Sequence, residues 1–315
     1  VVLFLCSPIL NYKAHRDLVG TVDEIEFSNE IEHIDLKQLP TIDTQLAAKL
    51  ADKKLGEIPS LGSQVTIGEL HLQSIGGQLY YVAPLEHSSL IKWLTNREGT
   101  SGYIKVSATN QNDVQLVTEL DGKPLKIKYL ESSYLLSDLH RAAFLRDMKS
   151  AHTDFTFELD DNGRPYWVVT RYDNAIGITE AKAIGALVID AQTGESEIYD
   201  IDNMPKWIDR IQPSKFINNY INKWGELVHG VFNFNDKDKL KTTTGMNLIF
   251  NKDECFYYTG ITSVGNDEGL VGFTLTNTRT GKTTMYKTAG ATEEAAIRSA
   301  EGKVQQYGYK ATFPY

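Results

Sequence analysis

Gly185-Ala-Leu-Val-Ile-Asp-Ala-Gln-Thr-Gly194 and Gly272-Phe-Thr-Leu-Thr-Asn-Thr-Arg-Thr-Gly281 are the stretches that set the architecture. Each opens on a glycine, runs as a short strand and closes on a Thr-Gly turn. A tyrosine follows in the next strand, Tyr199 in one and Tyr286 in the other. The offset is 87 residues at the glycine, at the Thr-Gly and at the tyrosine alike. One offset shared by three markers signals a repeated unit. A looser copy begins Gly102-Tyr-Ile-Lys-Val-Ser-Ala-Thr109, with Asn110-Gln-Asn-Asp113 where the Thr-Gly turn should be.

Working outward, an aromatic pair in a strand context precedes each glycine: Tyr80-Tyr81-Val82, Tyr166-Trp167-Val168-Val169 and Tyr257-Tyr258. A helical pattern follows each strand pair, over 135–148, over 207–228 with Pro213 as a break, and over 291–305. The last opens on Thr292-Glu-Glu, acidic residues that suit the positive end of a helix dipole. A two-stranded hairpin is marginal alone and needs an apolar partner, so the expected unit is a strand pair covered by the helix behind it. Copy two alternates weakly, Ala186 and Val188 against Leu187 and Ile189, which predicts burial on both faces. Copy three sets Phe273 and Leu275 against Thr274 and Thr276, which predicts one wet face.

Ahead of the repeats, residues 17–40 alternate apolar and charged and read as extended, and Thr41-Ile-Asp-Thr44 opens a helix that Gly56 stops. The expected fold class is α+β: repeated antiparallel strand-pair-plus-helix modules behind an N-terminal α+β segment. The expected divisions are 1–16 as the end of a membrane anchor, 17–79 as the N-terminal segment, and 80–150, 151–230 and 231–315 as the three modules.

Arg164-Pro-Tyr-Trp-Val-Val-Thr170, followed by the strand that ends in Asp190-Ala-Gln-Thr-Gly194, resembles the second half of a PepSY domain, whose hallmark is Asp-x-x-Thr-Gly. The resemblance covers mainly residues 155–201 and 255–306; Asn277 stands in place of Asp190 in the later copy, and the first copy lacks the motif. It implies a PepSY/cystatin-like module on the outer face of a bacterial membrane that binds or inhibits without catalysis. It transfers no set of functional residues.

The chain has 315 residues, 41% hydrophobic and 23% charged, a globular profile with room for two or three domains at about 100–200 residues each. A net charge of −9 and the absence of a basic stripe argue against a nucleic-acid partner. Two cysteines, Cys6 and Cys255, make no disulfide framework and no C-x-x-C. The opening Val1-Val-Leu-Phe-Leu-Cys-Ser-Pro-Ile-Leu10 is almost wholly apolar before Asn11-Tyr-Lys-Ala-His-Arg16 turns polar. Ten residues cannot span a bilayer, which takes about 20 in a helix, so the run reads as the end of a membrane anchor or as a buried first strand.

Two chemical templates come close. Ser89-Leu-Ile-Lys92 has the S-x-x-K form that sets a lysine one turn from a nucleophilic hydroxyl, with Tyr172-Asp173-Asn174 and Arg279-Thr280-Gly281 as partner elements of a cell-wall acyl transferase or hydrolase. Arg279-Thr-Gly281 is equally a hairpin tip. The acidic run of Asp154, Glu158, Asp160, Asp161 and Asn162-Gly163 fails calcium-loop spacing, because Val169 stands where the bidentate Glu belongs, and it reads as a turn. Asn235-Asp-Lys-Asp238 and Asn266-Asp-Glu268 read as loops. Seven histidines, at 15, 33, 71, 87, 140, 152 and 229, form no metal-binding pairing.

The expectation from sequence is thus no enzyme, no metal and no cofactor. It is a non-catalytic binding or scaffolding module, held on the extracytoplasmic side of a bacterial membrane by a segment upstream of Val1 and docking a protein or peptide, with a soluble cytoplasmic protein as the alternative location. The alternative functions are the acyl transferase using Ser89 and Lys92, or a subunit of a larger assembly. No binding residue is assigned.

Overall fold

The computed structural model describes residues 10–19, 22–27, 39–176, 180–228, 238–251, 254–265 and 269–303. The readings made for residues 1–9 with Cys6, for 28–38 with His33, for His229, and for the loops at 235–237 and 266–268 lie outside the described residues.

Helix α1 (Tyr12–Val19) and strand β1 (Asp23–Glu26) lead to α2 (Thr44–Gly56), whose first turn is closed by the Leu46 N–H donating to Asp43 Oδ1 at 2.7 Å. A short α3 (Pro59–Gly62) precedes β2 (Val65–Ile67), β3 (His71–Ile75) and β4 (Gln78–His87). Then come α4 (Leu90–Thr95), β5 (Tyr103–Ser107), β6 (Val114–Val117) and the small hairpin of β7 (Glu119–Leu120) and β8 (Lys123–Pro124). Helix α5 (Leu139–Arg146) introduces β9 (Ala151–Leu159), β10 (Pro165–Ile176), β11 (Glu180–Asp190) and β12 (Ser196–Asp200). Helix α6 (Ser214–Leu227) introduces β13 (Leu240–Thr242), β14 (Asn247–Asn251), β15 (Glu254–Ser263), β16 (Gly269–Asn277) and β17 (Thr283–Ala291), with α7 (Glu293–Lys303) last.

The strands form three antiparallel meanders. In the first, β2 and β3 share one edge of β4, which pairs with β5 and then β6; the second runs β9-β10-β11-β12. In the third, β13 and β14 share one edge of β15, followed by β16 and β17, and β1 adds to β17 in parallel.

This arrangement corrects the expected fold class. The repeated unit is a four-strand meander dominated by sheet, not a PepSY/cystatin-like strand pair with a helix. The helices also belong to the other end of the unit. Ala47 and Ala51 of α2 pack on Leu79, Tyr81, Ala83 and Ile104 of the first sheet. Leu139 and Ala143 of α5 join Phe157, Trp167 and Leu187 of the second, and Ile217, Ile221 and Trp224 of α6 meet Tyr257, Ile261 and Met285 of the third. Each of these helices covers the sheet that follows it.

The repeat markers occupy matched places. Asp190 Oδ1 accepts the N–H groups of Gln192 and Thr193 at 2.8 and 2.7 Å, and Asn277 Oδ1 accepts those of Arg279 and Thr280 at 3.0 Å each. Gly194 and Gly281 close the two turns at φ +75° and +74°, a region where a side chain is strained. A Cβ on Gly102, Gly185 or Gly272 would run into the carbonyl oxygen of Val117, Tyr199 or Tyr286, so all three positions require glycine for one reason.

The wet face of the third sheet is the reverse of the sequence pattern. Thr274 and Thr276 are fully buried, while Phe273 and Leu275 are half-exposed. The buried hydroxyls are bonded, Thr276 to Thr283 at 2.9 Å and Thr274 to the Thr259 carbonyl at 3.4 Å, so the β-branched threonines serve as core. No helix among the described residues is long and apolar enough to cross a membrane.

Candidate functional site

The segment 204–213, Met204-Pro-Lys-Trp-Ile-Asp-Arg-Ile-Gln-Pro213, touches all three sheets. Toward the first, Asp209 Oδ2 accepts the Ser74 N–H at 2.7 Å, and Gln73 Nε2 donates to the Trp207 carbonyl at 3.3 Å. Toward the second, Thr170 Oγ1 donates to the Ile211 carbonyl at 2.8 Å. Toward the third, the Ile211 and Gln212 N–H groups donate to the Thr278 carbonyl, Tyr257 donates to the Gln212 carbonyl at 3.0 Å, and Arg279 Nε donates to the Ile208 carbonyl at 2.6 Å.

A cluster of ionisable groups sits beneath this segment. The Asp209 N–H donates to Glu158 Oε2 at 3.4 Å, and Thr156 Oγ1 donates to Glu158 Oε1 at 2.9 Å. Burial, reinforced by the Asp209 charge, pushes Glu158 up to about 8; burial pushes Asp209 up to about 6. Burial, with the Arg210 charge beside it, lowers His71 to about 3. Cys255 and Tyr257 are raised by burial as well. Perturbed groups of this kind often mark active sites. Here Glu158 is 2% and Asp209 6% exposed, so a substrate cannot reach the pair. The cluster is a tie between sheets.

The same segment presents Arg210 and Trp207 to separate clefts. On one side, Arg210 lines a cavity of about 230 Å³ with His71, Glu69, Tyr81 and Asn247. On the other, Trp207 walls an open groove of about 260 Å³ on the outer face of the second sheet. Its floor is Tyr166, Val188 and Tyr199, and its rim is Arg164, Asp190 and the run Glu195-Ser196-Glu197.

The Tyr166 and Trp207 rings lie 5.1 Å apart and 31° from parallel, forming one aromatic wall. Arg164 Nε donates to Asp190 Oδ2 at 2.5 Å, and that carboxylate also holds the turn, so both groups are committed to the fold. Glu195 and Glu197 are exposed; Glu197 accepts the Tyr199 hydroxyl at 2.5 Å. Burial, followed by the Glu197 hydrogen bond, pushes the Tyr199 phenol up to about 12, so it stays a donor.

The acyl-transfer set is not assembled. Ser89 Oγ is spent as the cap of α4, accepting the Lys92 N–H at 3.4 Å, and the helix carries both residues at the surface. Tyr172-Asp173-Asn174 lies within β10 and Arg279-Thr280-Gly281 forms the β16–β17 tip; no hydrogen bond or ion pair among the described residues joins either to Ser89. The Asp160–Gly163 run is the β9–β10 turn, with Asp160 Oδ1 accepting the Asn162 and Arg164 N–H groups at 2.8 and 2.9 Å.

Sequence reading placed Trp207 at a helix start, put Glu158 in an acidic run read as a turn although it is a buried strand residue, and assigned no role to Asp209, Glu195 or Glu197. The available signal was local. Pro205 and Pro213 bracket a stretch too short for a helix of ordinary length, with Asp209-Arg210 set between Ile208 and Ile211.

No family model matches the chain, and no curated protein matches it. Among solved structures it is similar to a thermostable family-43 glycoside hydrolase, at 10% identity and a TM-score of 0.22, over 77% of this chain and 62% of that one. It is also similar to an endo-arabinase from Bacteroides thetaiotaomicron VPI-5482, at 10% identity and a TM-score of 0.20, over 71% of this chain and 62% of that one. Both are named as enzymes, against the expectations of a non-catalytic binding or scaffolding module and of a chain without enzymatic activity, which are not carried further. At these scores neither structure assigns a role to any residue here.

Proposed function

We propose that this chain acts on carbohydrate and that the groove under Trp207 receives one sugar unit of a longer glycan. The observation that carries the reading is an aromatic wall, Tyr166 and Trp207, facing an acidic rim, Glu195 and Glu197, within one open groove. A sugar ring has apolar C–H faces edged by hydroxyls. Aromatic faces take the former, and carboxylates accept hydrogen bonds from the latter. Anionic ligands suit the groove poorly, because its two exposed acids repel them and Arg164 is already neutralised by Asp190.

Titration calorimetry against soluble oligosaccharides of several linkage types tests the reading. The native chain should bind at least one, and Trp207→Ala and Glu197→Gln should each weaken that binding about tenfold. Chromatography of the same mixtures separates binding from cleavage, because cleavage yields shorter products. A native chain that binds no saccharide overturns the proposal.

The same proposal places the protein on the extracytoplasmic side of a bacterial cell membrane. Support comes from the almost wholly apolar run of residues 1–10 ahead of the polar stretch 11–16. Fractionation of the source cell that recovers the chain only with cytosol would refute the location.

A further inference from the structure

Nine large apolar side chains stand exposed on one stretch of the chain, from Leu90 to Met148. The most open are Ile91 at 70%, Leu136 at 74% and Met148 at 68%. They lie on α4, on residues 134–136 and on or just after α5. Trp93 of α4 packs on Tyr134 at 5.2 Å, which brings α4 to the segment that carries the exposed Leu135 and Leu136, and the chain then enters α5, where Phe144 is exposed. Helix α5 buries Leu139, Ala142 and Ala143 on the core and turns Arg141, Phe144, Leu145 and then Met148 outward. Patches of this kind on a globular protein mark docking surfaces.

The leucine tip is built rather than incidental. Leu135 holds φ +59°, a backbone region unfavourable to a residue with a Cβ. Its surroundings are anchored: Ser133 is buried and donates to the Lys128 carbonyl at 2.9 Å, and the Leu139 N–H donates to the Leu130 carbonyl at 3.2 Å. The fold thus projects two adjacent leucines from a fixed base.

Charge around the patch identifies the occupant. Residues 88–149 hold nine Lys and Arg against seven Asp and Glu, in a chain of net charge −9. Each acid near the patch has a partner, and two of those partners are cationic. Glu98 pairs with Lys126, Glu131 lies 3.9 Å from His140, Asp147 holds Arg171 at 2.6 Å, and Asp138 caps α5. Among the described residues, Lys92, Lys128, Arg141 and Lys149 have no acidic partner, and Arg97 lies over the Trp93 ring at 5.0 Å. Apolar tips ringed by free cations and aromatic residues match an anionic lipid surface: the tips enter the acyl boundary and the cations meet headgroup phosphates. A second copy fits less well, since it would set one cationic rim against another.

We infer that the surface formed by α4, residues 134–137 and α5 docks on anionic lipid bilayers. The inference does not depend on the saccharide groove. Flotation of the full chain with vesicles tests it, using phosphatidylcholine alone and phosphatidylcholine mixed with phosphatidylglycerol. The native chain should float with the anionic vesicles, remain behind with the neutral ones, and release as salt shortens the screening length. Leu136→Asp and Ile91→Asp, both at open positions, should each cut partitioning about tenfold with unchanged thermal melts. The paired change Lys92→Ser and Arg141→Ser should cut it on anionic vesicles as well. Failure of the native chain to float, or flotation unaffected by the leucine and isoleucine changes, overturns the inference. So does sedimentation showing a native dimer that Leu136→Asp converts to monomer without any lipid binding, which assigns the patch to a second copy.

Discussion

Glu158 is a carboxylic acid folded away from water, and its titration should be visible in the stability of the whole chain. Its folded pKa is raised to about 8 from an ordinary 4.5, so the folded state holds a proton that the unfolded state releases. The stabilisation is complete at acid pH and is lost as pH rises through about 8. His71, lowered to about 3 from 6.5, works in the opposite sense: its contribution is present above 6.5 and is lost as pH falls toward 3. The alkaline arm belongs to Glu158, with Asp209 adding to its lower part. Glu158→Gln keeps the shape, since the amide oxygen can accept from the Asp209 N–H while Thr156 Oγ1 turns its proton to the Val168 carbonyl 3.3 Å away. Thermal melts from about pH 6 to about pH 9 should slope downward for the native chain and run flatter for the variant. Parallel curves would remove Glu158 as the titrating group.

At the scale of the element, the three glycines test whether the meanders are equivalent. Gly102→Ala, Gly185→Ala and Gly272→Ala each force a methyl into the carbonyl of a neighbouring strand, and each should cost about 2 kcal/mol or more in urea unfolding. Gly56→Ala, at the end of α2 with nothing within 4 Å, should instead stabilise by about 0.5–1 kcal/mol. One tolerated change among the three would break the equivalence. These glycines and the Thr-Gly tips were readable because each solves a backbone problem within a few residues of itself, which leaves a mark at fixed spacing. The partner of each helix was not readable. Nothing local states that Ile217, Ile221 and Trp224 pack on Tyr257 and Met285 rather than on the strands behind them. The face of β16 was misleading, because a threonine with a bonded hydroxyl packs as core while pattern reading scores it as wet. The groove was invisible for a related reason. Tyr166 reads as half of an aromatic pair with Trp167 and Trp207 as a helix start, whereas the Tyr166–Trp207 contact depends on how the 204–213 segment returns across the sheet.

At the scale of the whole molecule, the question is whether three sheets unfold as one body. Gln73 is 1% exposed and bridges the first two: its Oε1 accepts the Leu159 N–H at 2.9 Å and its Nε2 donates to the Leu159 carbonyl at 2.7 Å. The same amide reaches the Trp207 carbonyl, so one side chain fastens the edge of β9 and the segment that closes on the third sheet. Gln73→Leu keeps the volume close to native but leaves both backbone groups of Leu159 buried without partners. The expected loss is about 2–4 kcal/mol, because unsatisfied buried polar groups cost far more than a typical hydrogen bond contributes. Location distinguishes this from a general loss of stability. Hydrogen exchange should quicken first at Leu159 and along 207–212, ahead of Val168 and Val169 at the centre of the second sheet. If all amides quicken together, the molecule is one cooperative body and Gln73 only lowers its stability. If the Leu159 amide stays protected, the apolar core shared by Tyr80, Phe157 and Trp167 holds the two sheets together without it.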